Sequence, residues 1–293
     1  MKIYLTLIIT FFCVWVNGQT IDYATQTFRD TRLINGQSVE TGIQGQGTFS
    51  IAHRFGDIYQ NNAASILYNF FGFSGGANMR IGLDYAITNW FEVGAGRSNF
   101  DKTYDVFVKA RVLKQSIGDK NIPVTITLYS DIAIITDTSN ALLDSFFVDR
   151  LSYAYQVLIA RKFNETFSLQ LMPSFIHRNL VDASADKNDV FAIGAGAKYQ
   201  MTDNIAITGE YYYTLPGQLP AGYDNSAAIG IDISTKGHVF QLQFTNSPYL
   251  IPAYFIGKTT GTIIDEDDAG KFDLNIRFGF NISRTVKLAG RQY

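Results

Sequence analysis

The sequence predicts an all-β protein, a single transmembrane antiparallel β-barrel of about 12 strands, and three observations carry that prediction. Apolar and polar residues alternate along most of the chain beyond about Gln44, the period of strands with two unlike faces. The apolar face carries large side chains along its whole length. The connections alternate between short turns and longer segments, as in a chain that crosses a membrane back and forth.

Composition narrows the field first. The 293 residues hold 24 Lys+Arg against 26 Asp+Glu, with 46% hydrophobic, 14% aromatic and 17% charged residues. Few charges and many bulky groups exclude a disordered chain, which must be unable to form a core. A formal charge of −2 leaves no basic excess to neutralise phosphates, so nucleic acid is not an expected partner. One cysteine supports neither a disulfide framework nor a Cys-based zinc site.

The chain opens with Lys2, an apolar run from Ile3 to Val16, and then Asn17-Gly18-Gln19. A basic start, a short apolar stretch and small residues at the exit make 1–18 a secretory signal peptide, with cleavage expected after Gly18. The run is too short for a transmembrane helix, and no other apolar run reaches about 18 residues. Cys13 lies inside this leader, and Phe12 before it is too bulky for a lipoprotein cleavage site. Residues 19–43 are polar and precede the barrel, either lying in the periplasm or folding into the lumen as a plug. Residues 44–293 form the barrel.

Within it, alternation marks strands near 45–55, 78–87, 91–98, 104–112, 123–135, 147–163, 167–178, 189–201, 205–214, 226–234, 239–246 and 271–282. Met79, Ile81, Leu83 and Tyr85 share a face opposite Arg80, Gly82 and Asp84; Phe272, Leu274, Ile276, Phe278 and Phe280 oppose Asp273, Asn275 and Arg277. Short turns such as Thr88-Asn89-Trp90 and Thr202-Asp203-Asn204 alternate with long segments at 56–76, 136–146, 179–188, 215–225 and 247–270; only 99–102 breaks the pattern. With a periplasmic N-terminus the short turns face the periplasm, and an even strand count returns the C-terminus there. Aromatics collect at strand ends, Trp90, Phe163 and Tyr199 beside short turns and Phe70, Phe71, Tyr211 and Tyr213 toward the loops, as two interfacial girdles. A soluble sandwich would put polar groups outside and apolar groups inside. Here the face opposite the large apolar groups holds charge and glycine, too polar and too small for a sandwich core.

Several stretches resemble a family of Bacteroidota outer-membrane β-barrel proteins classed as a domain of unknown function. They are Thr31 to Thr41, His53-Arg54-Phe55-Gly56, Phe71-Gly72-Phe73, and Gly94 to Ser98 with Lys102 to Asp105. The likeness runs from about Thr27 to the last strand. It implies a Gram-negative outer-membrane location and a single barrel, but no substrate and no functional residue. The segment Arg277-Phe278-Gly279-Phe280-Asn281-Ile282 also looks like the last-strand signal read by the outer-membrane insertion machinery, although Ser283 to Tyr293 follow it.

Parity turns Arg80, Asp84, Glu92, Asp105, Lys109, Arg111, Glu210, Asp232, Asp273 and Arg277 inward, along with Asp131, Lys162, Lys198 and Lys271. A charged Arg or Lys facing lipid at mid-depth costs roughly 2–4 kcal/mol, so the inward assignment is the cheaper one. The ten named first are the candidate lumen-lining residues. No catalytic, cofactor-binding or metal site is expected, and an enzyme is not. His53, His177 and His238, the only imidazoles, fall at different heights, and parity turns at least two of them toward lipid. Asp84 and Glu92 on adjacent strands form a carboxylate pair for which an ion pair with Arg80 is the simpler account. Gly94-Ala95-Gly96 and Gly194-Ala195-Gly196 precede no helix, so they make room in a wall rather than cradle phosphate. Asp265 to Asp268 lacks the ligand spacing of a calcium loop. Pro248 to Ile256 is apolar for a loop and is expected to tuck into the barrel mouth.

The expected function is that of an outer-membrane channel for small solutes. The alternative is a closed barrel that binds or scaffolds a partner protein or ligand through the loops at 56–76 and 247–270. The expected partners are outer-membrane lipid and, during biogenesis, the insertion machinery.

Overall fold

The computed structural model describes residues 21–59, 64–137, 146–181, 186–261, 263 and 275–288, with the backbone at 265–266 and 272–273. The leader at 1–18, Cys13, and the acidic residues Asp267 and Asp268 lie outside the described residues.

Twelve strands among these form a closed barrel: β1 (Gln46–Asp57), β2 (Asn78–Ala86), β3 (Phe91–Ser98), β4 (Tyr104–Leu113), β5 (Thr125–Ile134), β6 (Leu151–Lys162), β7 (Phe167–Arg178), β8 (Asp189–Gln200), β9 (Ile205–Thr214), β10 (Ala227–Thr235), β11 (His238–Thr245) and β12 (Arg277–Lys287). Each pairs antiparallel with the next, and β12 closes on β1 with Gln46 opposite Lys287. Closure gives every strand two hydrogen-bonded neighbours, which is what a backbone in hydrocarbon requires.

Burial follows the period of two. In β2, Asn78, Arg80, Gly82, Asp84 and Ala86 are buried while Met79, Ile81 and Leu83 are exposed, Leu83 by 64%. Outward Leu, Ile, Val and Phe continue round the circumference, an apolar surface suited to acyl chains and not to water. Two register shifts interrupt the ladders, between Arg277 and Gly279 in β12 and between Arg111 and Leu113 in β4. The β6–β7 ladder also skips from Gln156↔Ser174 to Ile159↔Leu171, beside Pro173, which has no N–H to offer.

Three boundaries differ from the sequence reading. The alternation at 271–282 suggests one strand, but Phe272–Asp273 pairs with Asp265–Glu266 in a separate two-stranded piece. The barrel strand begins only at Arg277 and runs on through Ser283 to Lys287, because β1 and β11 offer partners to those residues and not to 271–276. The strand expected from 147 begins at Leu151, after a 3₁₀ turn at Phe147–Arg150. The break in turn lengths at 99–102 is likewise a 3₁₀ turn, Phe100–Lys102.

The interior is also less polar than expected. Phe107, Tyr129, Leu158, Met172, Ile176 and Tyr212 are buried on inward positions and form one cluster with Phe28, Leu33, Val39, Ile251 and Phe255. The last five come from outside the barrel strands. One mouth, the rim of short turns, admits the N-terminal segment: Asp22–Tyr23 pairs with Ser116–Ile117 in the β4–β5 turn, and the chain then enters the lumen. The opposite, long-loop rim admits the β11–β12 loop, whose short helix Pro252–Phe255 is wholly buried. Between them a cavity beside Ile34, Arg80 and Leu250 has about 20 Å³, room for about one water.

Candidate functional site

The lumen is the site, and its principal occupant is a hairpin of the chain itself. The Ser38 N–H donates to Thr31 O and the Leu33 N–H to Gly36 O, both at 2.9 Å, which folds residues 31–38 into a tight turn with Leu33 to Gly36 at its tip. The tip docks on Glu210 of β9. Its carboxylate accepts from the backbone N–H of Asn35 at 2.7 Å, of Ile34 at 3.3 Å and of Gly36 at 3.1 Å. A charged acceptor in a buried site makes each of these bonds stronger than a neutral pair. Gly36 must be glycine here, because a Cβ would stand 1.9 Å from the Tyr212 hydroxyl.

Other wall residues hold the arms. The Lys109 ammonium on β4 donates to Thr31 O and Glu40 O, both at 2.8 Å, tying the two arms together. The Gln170 side chain on β7 accepts from the Val39 N–H at 2.8 Å and donates to Gln37 O at 2.7 Å. Thr127 donates to Val39 O and Gln241 to Leu33 O. Nearer the rim, Lys198 donates to Gln26 O at 2.7 Å and Lys162 to Thr25 O at 3.1 Å. Lys162 also bonds Glu165 in the β6–β7 turn, and that hydrogen bond holds the Glu165 carboxyl below its usual range.

The sequence-predicted residues divide among distinct tasks. Glu210 and Lys109 hold the hairpin, and Glu92 joins them by accepting from the Gly42 N–H at 2.6 Å. Arg111, half-buried near the rim, reaches the Glu40 carboxylate at 3.8 Å and donates to Asn89 O. Asp232 is held within the wall by Thr208 at 2.7 Å and Gln241 at 3.1 Å. Arg277 pairs with Asp57 at 2.7 Å. The Asp273 side chain lies outside the described residues.

Arg80 corrects the expected pairing. Its guanidinium bonds Asp105 on β4 through two nitrogens rather than Asp84 or Glu92. It reaches across β3 over Gly96, where a Cβ would lie 2.2 Å from the guanidinium. Asp84 instead faces the positive charges of Arg32, Arg80 and Lys109 together. Gly94 plays the part of Gly96 for the Phe107 ring, which a Cβ there would meet at 2.3 Å.

Sequence reasoning passed over Arg54, which is fully buried on β1 and clasps the hairpin through Asn35 Oδ1 at 2.8 Å, and Asn281 on β12, which donates to Ile34 O at 2.9 Å. Parity held the signal for Arg54, since it alternates with Ile51, His53 and Phe55. Gln170, Thr127 and Gln241 are neutral and carry no signal beyond parity.

From the long-loop rim, the β11–β12 loop packs Phe255 on Tyr212 with ring centroids 5.1 Å apart, so Tyr212 stands between hairpin tip and loop. Tyr254 and Tyr249 pack edge-on against Phe100, and the Asn78 amide donates to Pro248 O at 2.8 Å. The imidazoles stay apart: His53 stacks on Phe280, His177 bonds Asp189 at 2.6 Å, and His238 neighbours Arg284.

A family model described as a membrane bound beta barrel domain (DUF5777) matches residues 28–286. Among solved structures the chain is similar to the NanC porin, at 8% identity and a TM-score of 0.47 over 82% of this chain and 98% of that one. It is similar to the KdgM porin in complex with disordered oligogalacturonate, at 10% and 0.48 over 81% and 98%. It is also similar to the Acinetobacter baumannii outer membrane protein Omp33, at 8% and 0.43 over 84% and 100%. No curated protein matches.

Proposed function

The chain belongs to the family of membrane bound beta barrel domains, and from that premise we propose that it is an outer-membrane channel for small solutes, held shut by its N-terminal hairpin and its β11–β12 loop. One observation supports this above others. Much of what fills the barrel, packed against inward wall residues such as Phe107, Leu158 and Tyr212, is two segments that are not part of its wall. Their withdrawal would leave a bore lined by Arg80, Asp84, Glu92, Asp105, Lys109, Glu210 and Asp232, all buried on inward positions. Small barrels of about 8 strands are filled by their own wall side chains and those of 16–18 leave a channel; this barrel lies between and uses separate pieces of chain.

The setting belongs to the same reading: a Gram-negative bacterium of the Bacteroidota, a leader removed after Gly18, residues 19–43 as the plug, short turns and both termini in the periplasm. The role assigned is passage, not catalysis. A second reading, a closed barrel docking a partner, is favoured by the β1–β2 loop, where Leu67, Tyr68 and Phe70 are 75%, 83% and 64% exposed. The other loop once suited to that role contributes little, because Leu250 to Ile256 are buried in the mouth.

Single-channel recording in planar bilayers tests the proposal, with the refolded intact protein beside one lacking residues 249–262, one carrying Glu210→Ala and one carrying both changes. Silence from the intact protein and conductance from the doubly changed variant is expected. Silence from all four, with folding verified by heat-shifted gel migration, refutes passage and leaves the docking reading.

A further inference from the structure

We propose that the lumen is a binding site for polypeptide main chain folded as a tight turn, and that the solute admitted when the hairpin withdraws is a short peptide free to adopt that turn; the second half of this rests on the channel reading, the first does not.

The wall's bonds to the hairpin carry the inference because most of them end on backbone atoms. Glu210 takes three successive N–H groups, Lys109 two carbonyls, and Lys198 and Lys162 one each. Gln170 is the most telling. One carboxamide, 0% exposed, holds Gln37 O and Val39 N, the acceptor and donor that a neighbouring β-strand would engage. Some of the hairpin's own side chains take part in turn: Phe28, Leu33 and Val39 pack among the buried wall residues, Arg32 lies over the Phe107 ring, and Asn35 meets Arg54 and Thr245, Asp30 meets Ser283, Glu40 meets Arg111, Arg29 donates to Asp203 O and Thr41 to Asn89 O. A wall that reads amides is indifferent to the remaining side chains, since every peptide folded into this turn presents the same groups at the same spacing. It is not indifferent everywhere. The Tyr212 hydroxyl leaves space only for glycine at the turn, so a peptide seated as the hairpin is seated needs glycine there. A pore for inorganic ions would need charge but no amide-spaced pairs, and a saccharide has no chain of N–H donors for Glu210 and no amide carbonyls for the lysines.

The experiment uses the full mature chain, cut after folding. A protease site is inserted beside Ile43, which is 63% exposed at the short-turn rim, and a fluorophore is attached through Ile21→Cys, so that cleavage leaves the hairpin as a labelled, non-covalent ligand. Its release is followed by anisotropy as competitors are added: the synthetic 21–43 peptide, a version with its other side chains permuted around fixed Phe28, Leu33, Asn35, Gly36 and Val39, a version N-methylated at residues 34–36, and maltohexaose. The expected result is displacement by the native and permuted peptides at concentrations within about threefold. The N-methylated peptide should need more than tenfold higher concentration, and the sugar should do nothing. Failure of the permuted peptide, equal competition by the N-methylated one, displacement by the sugar, or a hairpin that even the native peptide cannot exchange would each overturn the proposal. Conductance of the cut protein that also lacks residues 249–262 is recorded in parallel. A barrel that conducts but ignores permuted peptide sinks the peptide site and keeps the channel; one that exchanges peptides yet stays silent keeps the site and sinks the channel.

Discussion

Replacing Glu210 by alanine removes the acceptor of three buried N–H groups at the hairpin tip without touching the hairpin's sequence. In the seated state those donors lose their partner. In a withdrawn state they meet water, so the penalty falls on the seated state alone. A buried donor left without an acceptor costs about 1–3 kcal/mol. Taking the low end for each of the three gives about 3 kcal/mol, or about a hundredfold in the ratio of seated to withdrawn hairpin, since a tenfold change corresponds to about 1.4 kcal/mol. The assay is the reaction of a membrane-impermeant maleimide with Val39→Cys. Val39 is wholly buried, its side chain makes no hydrogen bond, and Cys13 is the one native cysteine in the sequence. The modification rate should rise about a hundredfold in Glu210→Ala. In Glu210→Gln, which keeps one carbonyl oxygen facing the tip, the rise should be about tenfold. Equal rates in all three, in barrels that migrate as folded, would show that the carboxylate does not hold the hairpin, and the account of the site would fail with it.

Gly36→Ala should unseat the tip to a similar degree by collision with Tyr212, and Tyr212→Phe, which removes the hydroxyl 1.9 Å from that Cβ, should restore much of the protection in the double variant. Gly96→Ala places a methyl group against the Arg80 guanidinium and should lower stability to denaturant by about 1–3 kcal/mol, seen as an earlier unfolding midpoint in lipid vesicles. Ile231→Arg, outward and 45% exposed at the middle of β10, should cost roughly 2–4 kcal/mol in the same titration, whereas Ile231→Leu should change little. Phe255→Ala removes a fully buried ring, worth about 3–5 kcal/mol in a core, and should raise the frequency of open-channel events through release of the β11–β12 loop.

The wall was readable in the sequence because a strand between lipid and lumen must alternate, and a misplaced charge is costly. Arg80, Asp84 and Lys109 betray their face by sitting between Ile81, Leu83, Val108 and their like. The β11–β12 loop was readable for a related reason: Leu250, Ile251 and Phe255 need cover from water. The hairpin was not. Its polar sequence suits the periplasm equally well, because most of the bonds that seat it end on its main chain, and the amides of Asn35 and Val39 are those of any residue. Partnership inside the lumen was also hidden. Arg80 and Asp105 lie on strands separated by β3, and only the missing side chain at Gly96 lets them meet. The start of β12 escaped because periodicity continues through Phe272 and Leu274, while the ladder depends on whether β1 and β11 extend far enough to meet them.

Both ends of the lumen hairpin leave by one rim, Asp22–Tyr23 against the β4–β5 turn and Gly42 toward the start of β1. Both ends of the Pro252–Phe255 segment leave by the other, from β11 and toward β12. Neither piece is threaded through the ring. Each is a bolt that slides back the way it came, so either mouth can be unfastened without parting a single strand from its neighbour, and the seam between β12 and β1 stays sewn while the interior changes.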